Sequence, residues 1–333
     1  MEWTRRELFP LVLLTGAALT AGCSESGADR ADGRIRQRVA AQADSLAGLY
    51  GAAASGAAAD PRFAGFKGHH LAHRALLLSG ASNPATANPA VPAADLSVGP
   101  SGGSARPGSQ SPGSSQASPQ QSGSSQPTAA NLASDERAAS ATIATGADLA
   151  GASGRLAALL VDVAACRAVH CAALDAADAQ AQPAIAATAP DIAATAAGDL
   201  AAAQAILSAE HAAVYAYGAL TPHLRGAQRD QAHGMYELHR QLRDALEADI
   251  AAHGATPATM VAAYAFPQQP VDPVSAAALA GYVETRMAAV CANAAAVATA
   301  AGRPYAAWAV ISASLRAYAW GRAPAAFPAT FSA

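Results

Sequence analysis

The residues of this chain whose types and spacing could do chemistry are histidines, carboxylates and thiols placed in apolar helical stripes. His70 and His73 share a stripe with Phe66 and Leu77. Glu136 lies between Leu132 and Ala139. Cys166 and His170 stand one turn apart in the stripe Leu156, Leu159, Val163 and Leu174. Residues three or four apart on a helix lie on one face, so these groups should point into a core. Three imidazoles, a carboxylate and a thiol are zinc or copper donors by type, and His70, His73, Glu136, Cys166 and His170 form the candidate metal set. The competing account is that core histidines are structural groups hydrogen-bonded to a carboxylate, here Glu136 or Asp162.

A second set lies in the other half of the chain. Glu210 sits among Ile206, Leu207, Val214 and Tyr217, and His239 among Met235, Leu242 and Leu246, with Arg243 one turn on. Glu284 shares a face with Ala280, Met287, Cys291 and Ala294. Arg316 flanks Trp308, Ser312 and Leu315. Charges in a core must be paired or must ligate an ion. A di-iron site in a helix bundle uses Glu-x-x-His motifs, but Glu237 precedes His239 by two residues, a spacing that faces different ways. The helix carrying Arg316 offers no carboxylate or imidazole, and arginine repels a cation. The expectation is therefore a buried polar network of Glu210, His239, Arg243, Glu284 and Arg316, pairing Glu210 with His239 or Arg243 and Glu284 with Arg316.

The four cysteines, Cys23, Cys166, Cys171 and Cys291, form no C-x-x-C knuckle,. Cys166 and Cys171 face different ways on one helix, so buried free thiols are expected. No H-E-x-x-H or P-loop is present,, and no residue is assigned a catalytic role.

The elements that must position these groups are helices. Of 333 residues, 52% are apolar and 5% aromatic; most of the apolar share is alanine, the best helix former and a poor strand former. A net charge of −3 and a pI near 6.3, with no basic stripe, argue against nucleic acid as a partner,. Periodicity places helices at about 34–59, 63–78, from 131, 154–179, 198–220, 226–253, 273–301 and 304–322. Between the second and third lies a Ser/Gly/Pro/Gln-rich insert, residues 79–130, expected to be disordered. Each half thus reads as two helices, a long connection and two more helices, the connectivity of ferritin-like folds. The expected fold is all-α: two tandem ferritin-like four-helix bundles at 34–180 and 198–331, joined by a Pro-containing linker at 181–197. Whether the bundles pack together is left open by the sequence.

The N-terminus reads as an address. Arg5-Arg6 precedes an apolar run from Leu11 to Leu19, and Leu19-Thr20-Ala21-Gly22-Cys23 resembles a bacterial lipobox. Residues 1–22 are read as a twin-arginine-like signal peptide, Cys23 as the lipidated residue, and 23–33 as a tether. No later run is read as long and apolar enough to span a bilayer.

Three segments carry a family resemblance: Ala209-Glu210-His211-Ala212-Ala213-Val214-Tyr215-Ala216-Tyr217-Gly218, then His239-Arg240-Gln241-Leu242-Arg243-Asp244, then Ala263-Tyr264-Ala265-Phe266-Pro267. Residues 198–331 resemble a bacterial ferritin-like family of unknown function found in exported proteins, and the first half is similar to regions that accompany it. The resemblance implies a ferritin-like bundle and no established activity. The functional expectation is an exported, membrane-anchored lipoprotein on the extracytoplasmic face, acting as a non-catalytic module that binds a protein or small-molecule partner. The alternatives are a metal-binding or redox protein with its site in a bundle core, and a structural spacer. The membrane is engaged through the lipid anchor, and no cofactor is expected unless a core donor set takes a transition metal.

Overall fold

The computed structural model describes residues 27–55, 60–81, 126–175, 189 and 196–329. The expected signal segment with Arg5 and Arg6, the expected lipidation residue Cys23, and most of the expected insert and linker lie outside the described residues. Among those described, every regular element is helical: α1 (Gly27–Ala54), α2 (Arg62–Leu78), α3 (Ala129–Thr145), α4 (Ala147–Gly151), α5 (Gly154–Asp175), α6 (Ala197–Leu220), α7 (Gly226–Ala252), α8 (Pro273–Val297) and α9 (Arg303–Ala319), with a short 3₁₀ turn at Thr221–His223. Two features depart from the expected outline. The chain is already helical at Gly27, inside the segment read as a tether. Extended backbone at Gly146 also sets off the short α4 from α3.

Local signals place the helix ends. Thr128 accepts from the Asn131 amide at the start of α3. Asp272 and Ser275 form a reciprocal capping box on α8, with Pro273 at its first position,. Gly254 closes α7 at φ +76°, a conformation that a side chain would strain,.

Helix α1 packs on α2, α3 on α5, α6 on both α7 and α8, and α8 on α9. The halves are joined by α5, which packs on α8 and α9 as well as on α3. Its Leu156, Leu160 and Val163 share one continuous core with Ile206, Met287, Ala306 and Val310, so the two halves pack against each other. Helix α5 is long and apolar enough to span a bilayer, contrary to the expectation that no later run was, but 83% of its apolar window is buried inside the protein. It is buried almost all round because it sits between the halves.

Small residues set these approaches. A Cβ on Gly154 would lie 2.1 Å from the Ala296 carbonyl oxygen, and one on Gly198 would lie 2.3 Å from that of Val297. Gly154→Ala should therefore push α5 off the end of α8 and cost ~2 kcal/mol, an ordinary overpacking penalty. The readout is an earlier urea midpoint. Gly151→Ala is the control, since a Cβ there meets nothing within 4 Å; equal loss in both variants would contradict the close approach.

Polar ties complete the join. Arg303 Nη1 donates to the carbonyls of Leu149, Ala150 and Ala152 at 2.8–2.9 Å, satisfying the C-terminal end of α4 from the first turn of α9,. Asp199 accepts from the Thr299 amide and hydroxyl, each at 2.7 Å. The segment after α9 crosses to the first half, where the Ala329 amide donates to Asp162 at 2.7 Å.

Candidate functional site

Each half gathers a polar cluster from four of its helices. In the first, Glu136 of α3 is fully buried. Its Oε1 accepts from the Tyr50 hydroxyl of α1 at 3.0 Å, His70 Nε2 of α2 at 2.7 Å and His170 Nδ1 of α5 at 2.8 Å. Burial alone would raise its pKa, but the bonds from His170 and His70 outweigh that and hold it below the usual carboxylate range,. Its Oε2 and His70 Nδ1 are buried without hydrogen-bond partners.

The tautomer of His170 follows from this geometry. An ionised carboxylate only accepts, so Nδ1 carries the proton. Burial lowers the His170 pKa despite Glu136. The neutral ring then presents a lone pair at Nε2, the outward side of the cluster. There it meets His69 Nδ1 at 2.9 Å and Cys166 Sγ at 3.4 Å. Phe66 stacks on the His170 ring with centroids 4.0 Å apart, fixing its orientation. His69 is pulled down to about 3 by burial and by the neighbouring His170 and His70, so it too is neutral at neutral pH. Burial pushes the Cys166 thiol well up.

Two overlapping donor groups result. One is His69, Cys166 and His170; the other is His70, Glu136 and His170; in each, the ligating atoms lie within 4.8 Å of one another. Of the expected set, His70, Glu136, Cys166 and His170 come together, and His73 does not. One turn further along α2, its Nε2 donates to the Ala326 carbonyl at 2.5 Å, and Phe327 packs edge-on against its ring. The returning C-terminal segment, which helical spacing cannot foresee, supplies that partner. His69 was missed for a related reason: it lies at the margin of the α2 stripe, and only the approach of α5 turns that margin into a site. Arg167, fully buried and bonded to Gln42 and the Ala139 carbonyl at 3.2 Å, is a further inward residue absent from the expected set; its spacing, four residues after Val163 and three before His170, is the signal that could have found it,.

The second cluster has the same plan and a different outcome. Tyr217 of α6 donates to Glu284 Oε1 of α8 at 2.8 Å, as Tyr50 does to Glu136. His239 of α7 meets the same oxygen at 3.0 Å, as His70 does in the first half. The fourth helix differs. Where His170 bonds Glu136, Arg316 Nε of α9 donates to Glu284 Oε2 at 2.8 Å. Glu210 adds a further carboxylate at 2.6 Å from His239 Nδ1. With a carboxylate on both nitrogens, His239 must carry both protons. Against the cost of burial, Glu210 and Glu284 raise its pKa to about 9. Burial would raise Glu284, yet Arg316 and His239 bring it down to about 2. His239 and Arg316 face the two carboxylates, leaving no imidazole lone pair for a metal. Glu210 thus pairs with His239, and Glu284 with Arg316, as expected. Arg243 is not part of the network: half-buried, it pairs instead with the exposed Asp244 at 2.5 Å,. Cys166, Cys171 and Cys291 are buried free thiols.

Residues 202–331 match the model of a family described as Domain of unknown function (DUF4439). A search of curated proteins and a search of solved structures each find no match. The family match covers the half with the self-neutralised network and stops short of the half with the donor groups.

Proposed function

We propose that this chain is an exported, lipid-anchored binding module of the cell envelope, and that its ligand is a transition-metal ion held in the core of the first helical half. Each half, on this reading, is a ferritin-like four-helix bundle with one long crossover, and Cys23 tethers the pair to the membrane. The observation that carries the metal reading is the His170 ring. Its Nδ1 is fixed by Glu136 while its Nε2 faces a second imidazole and a thiol. A carboxylate behind a ligating histidine sets its tautomer and raises its basicity, the usual outer-shell arrangement of protein metal sites. The second bundle acts as the rigid partner on which the first is built, with Arg316 standing where the first half has His170.

The test is elemental analysis of the mature chain bearing Cys23→Ser, purified without chelator. One transition-metal ion per chain, lost in His170→Ala, is the expected result. A metal-free protein that stays so after incubation with zinc or copper salts would leave the first cluster as a structural hydrogen-bond network. In cells, Cys23→Ser should release the protein from the membrane fraction; continued membrane association would overturn the lipid anchor.

A further inference from the structure

Resting on the metal-binding reading above, we propose that His69, Cys166 and His170 are the direct ligands of a three-coordinate site for monovalent copper, with Glu136 and His70 as its outer shell. The donor set is one sulfur and two imidazole nitrogens, a soft combination that suits Cu(I). The separations fit. Ligand bonds of ~2.0 Å to nitrogen and ~2.3 Å to sulfur place the donors roughly 3.3–3.7 Å apart around one ion. The observed 2.9 and 3.4 Å require an opening of only a few tenths of an ångström.

The coordination number follows from what surrounds these atoms. A structural zinc site closes with four protein ligands. The nearest further donors are His70 Nε2 and Glu136 Oε1, and both lie on the Nδ1 side of the His170 ring, bonded to each other. His73 is turned to the Ala326 carbonyl. Phe66 covers one face of His170. Three donors therefore face the ion, and Cu(I), unlike zinc, is content with three. Access is from the α2 side, since His69 is half-buried while Cys166 and His170 are fully enclosed.

Binding exchanges one cation for another. The Cys166 S–H bond breaks, an S–Cu bond forms and the proton leaves to solvent. The His69 proton moves from Nδ1 to Nε2, freeing the ligating lone pair. No electron is transferred, so copper remains monovalent throughout.

The experiment uses the mature chain bearing Cys23→Ser under anaerobic conditions. Cu(I) is offered in competition with a bathocuproine-type chelator, and Zn(II) in competition with a zinc dye. One Cu(I) per chain should be withheld from the chelator and not displaced by excess Zn(II). X-ray absorption should report one sulfur and two nitrogens. Cys166→Ser and His69→Ala should abolish retention while leaving the helical circular-dichroism spectrum intact. Glu136→Gln should weaken binding by ~10–100-fold, the range for outer-shell partners. His73→Gln should leave affinity unchanged. Stoichiometric zinc in preference to copper would overturn the copper assignment and leave the metal-binding reading standing. Cu(I) retention unaffected by Cys166→Ser would overturn the ligand set. Failure to bind either metal would overturn both.

Discussion

Glu284→Ala is expected to destabilise the protein by ~3–5 kcal/mol, the cost of breaking a buried ion pair from one side. The carboxylate receives bonds from Tyr217, His239 and Arg316, and every member of that group is enclosed. Its loss leaves Arg316 and His239 with Glu210 as the remaining buried anion. The Tyr217 hydroxyl, which also accepts from Trp320 Nε1 at 2.9 Å, loses its acceptor. Glutamine at the same place keeps an acceptor and the volume, so Glu284→Gln should cost less. The sharper comparison is Glu284→Leu combined with Arg316→Met. Replacing both partners by apolar groups of similar size removes the stranded charge, so the double variant should be more stable than either single one. Urea unfolding followed by tryptophan fluorescence measures all five variants. A Glu284→Ala protein within about 1 kcal/mol of the parent would mean that the cluster takes in water and is not the tight knot described.

The two clusters should also give the protein opposing responses to pH. His239 has its folded pKa raised to about 9 by Glu210 of α6 and Glu284 of α8, with Arg316 of α9 opposite. A raised histidine contributes stability that is fully present below its unfolded value of ~6.5 and is lost as pH climbs through 9. The difference corresponds to about 3 kcal/mol. The first cluster runs the other way. His69, His73 and His170 are all lowered, chiefly by burial. The unfolded chain then binds protons near pH 6.5 that the folded chain refuses, so stability falls as pH drops below that point. Glu284, held at about 2, adds a loss only in stronger acid, below the unfolded carboxylate value of ~4.5,. The urea midpoint should therefore peak near pH 6.5 and decline on both sides. His239→Gln should flatten the alkaline limb between pH 7 and 9.5 and leave the acid limb in place. An unchanged alkaline limb in that variant would show that another group controls it.

Helices and their faces were legible in the sequence because they depend on local rules. Alanine content, 3.6-residue periodicity and the punctuation at Pro61, Gly254 and Pro273 act within a few residues of where they stand. The inward placing of Glu136, His170, Glu210, His239, Glu284 and Arg316 followed from the same spacing, as did the pairings of Glu210 with His239 and Glu284 with Arg316. Periodicity is silent on what meets a face from elsewhere. His73 and Arg243 each lie on or beside an apolar stripe, yet the Ala326 carbonyl claims the first and Asp244 the second. His69 enters the first cluster only because α5 brings His170 and Cys166 to the margin of α2. The packing of the two halves through α5 was likewise invisible, because an apolar surface specifies that it must be covered without specifying by what.

The amino-acid sequence by itself determined the helical class, the buried positions and the types of donor at each. Only the tertiary structure decided that the first cluster presents a free imidazole lone pair to a thiol and to the ring of His69. That outcome rests on the approach of α5 to the margin of α2. It is a contact between residues far apart in the chain, and no local pattern encodes it.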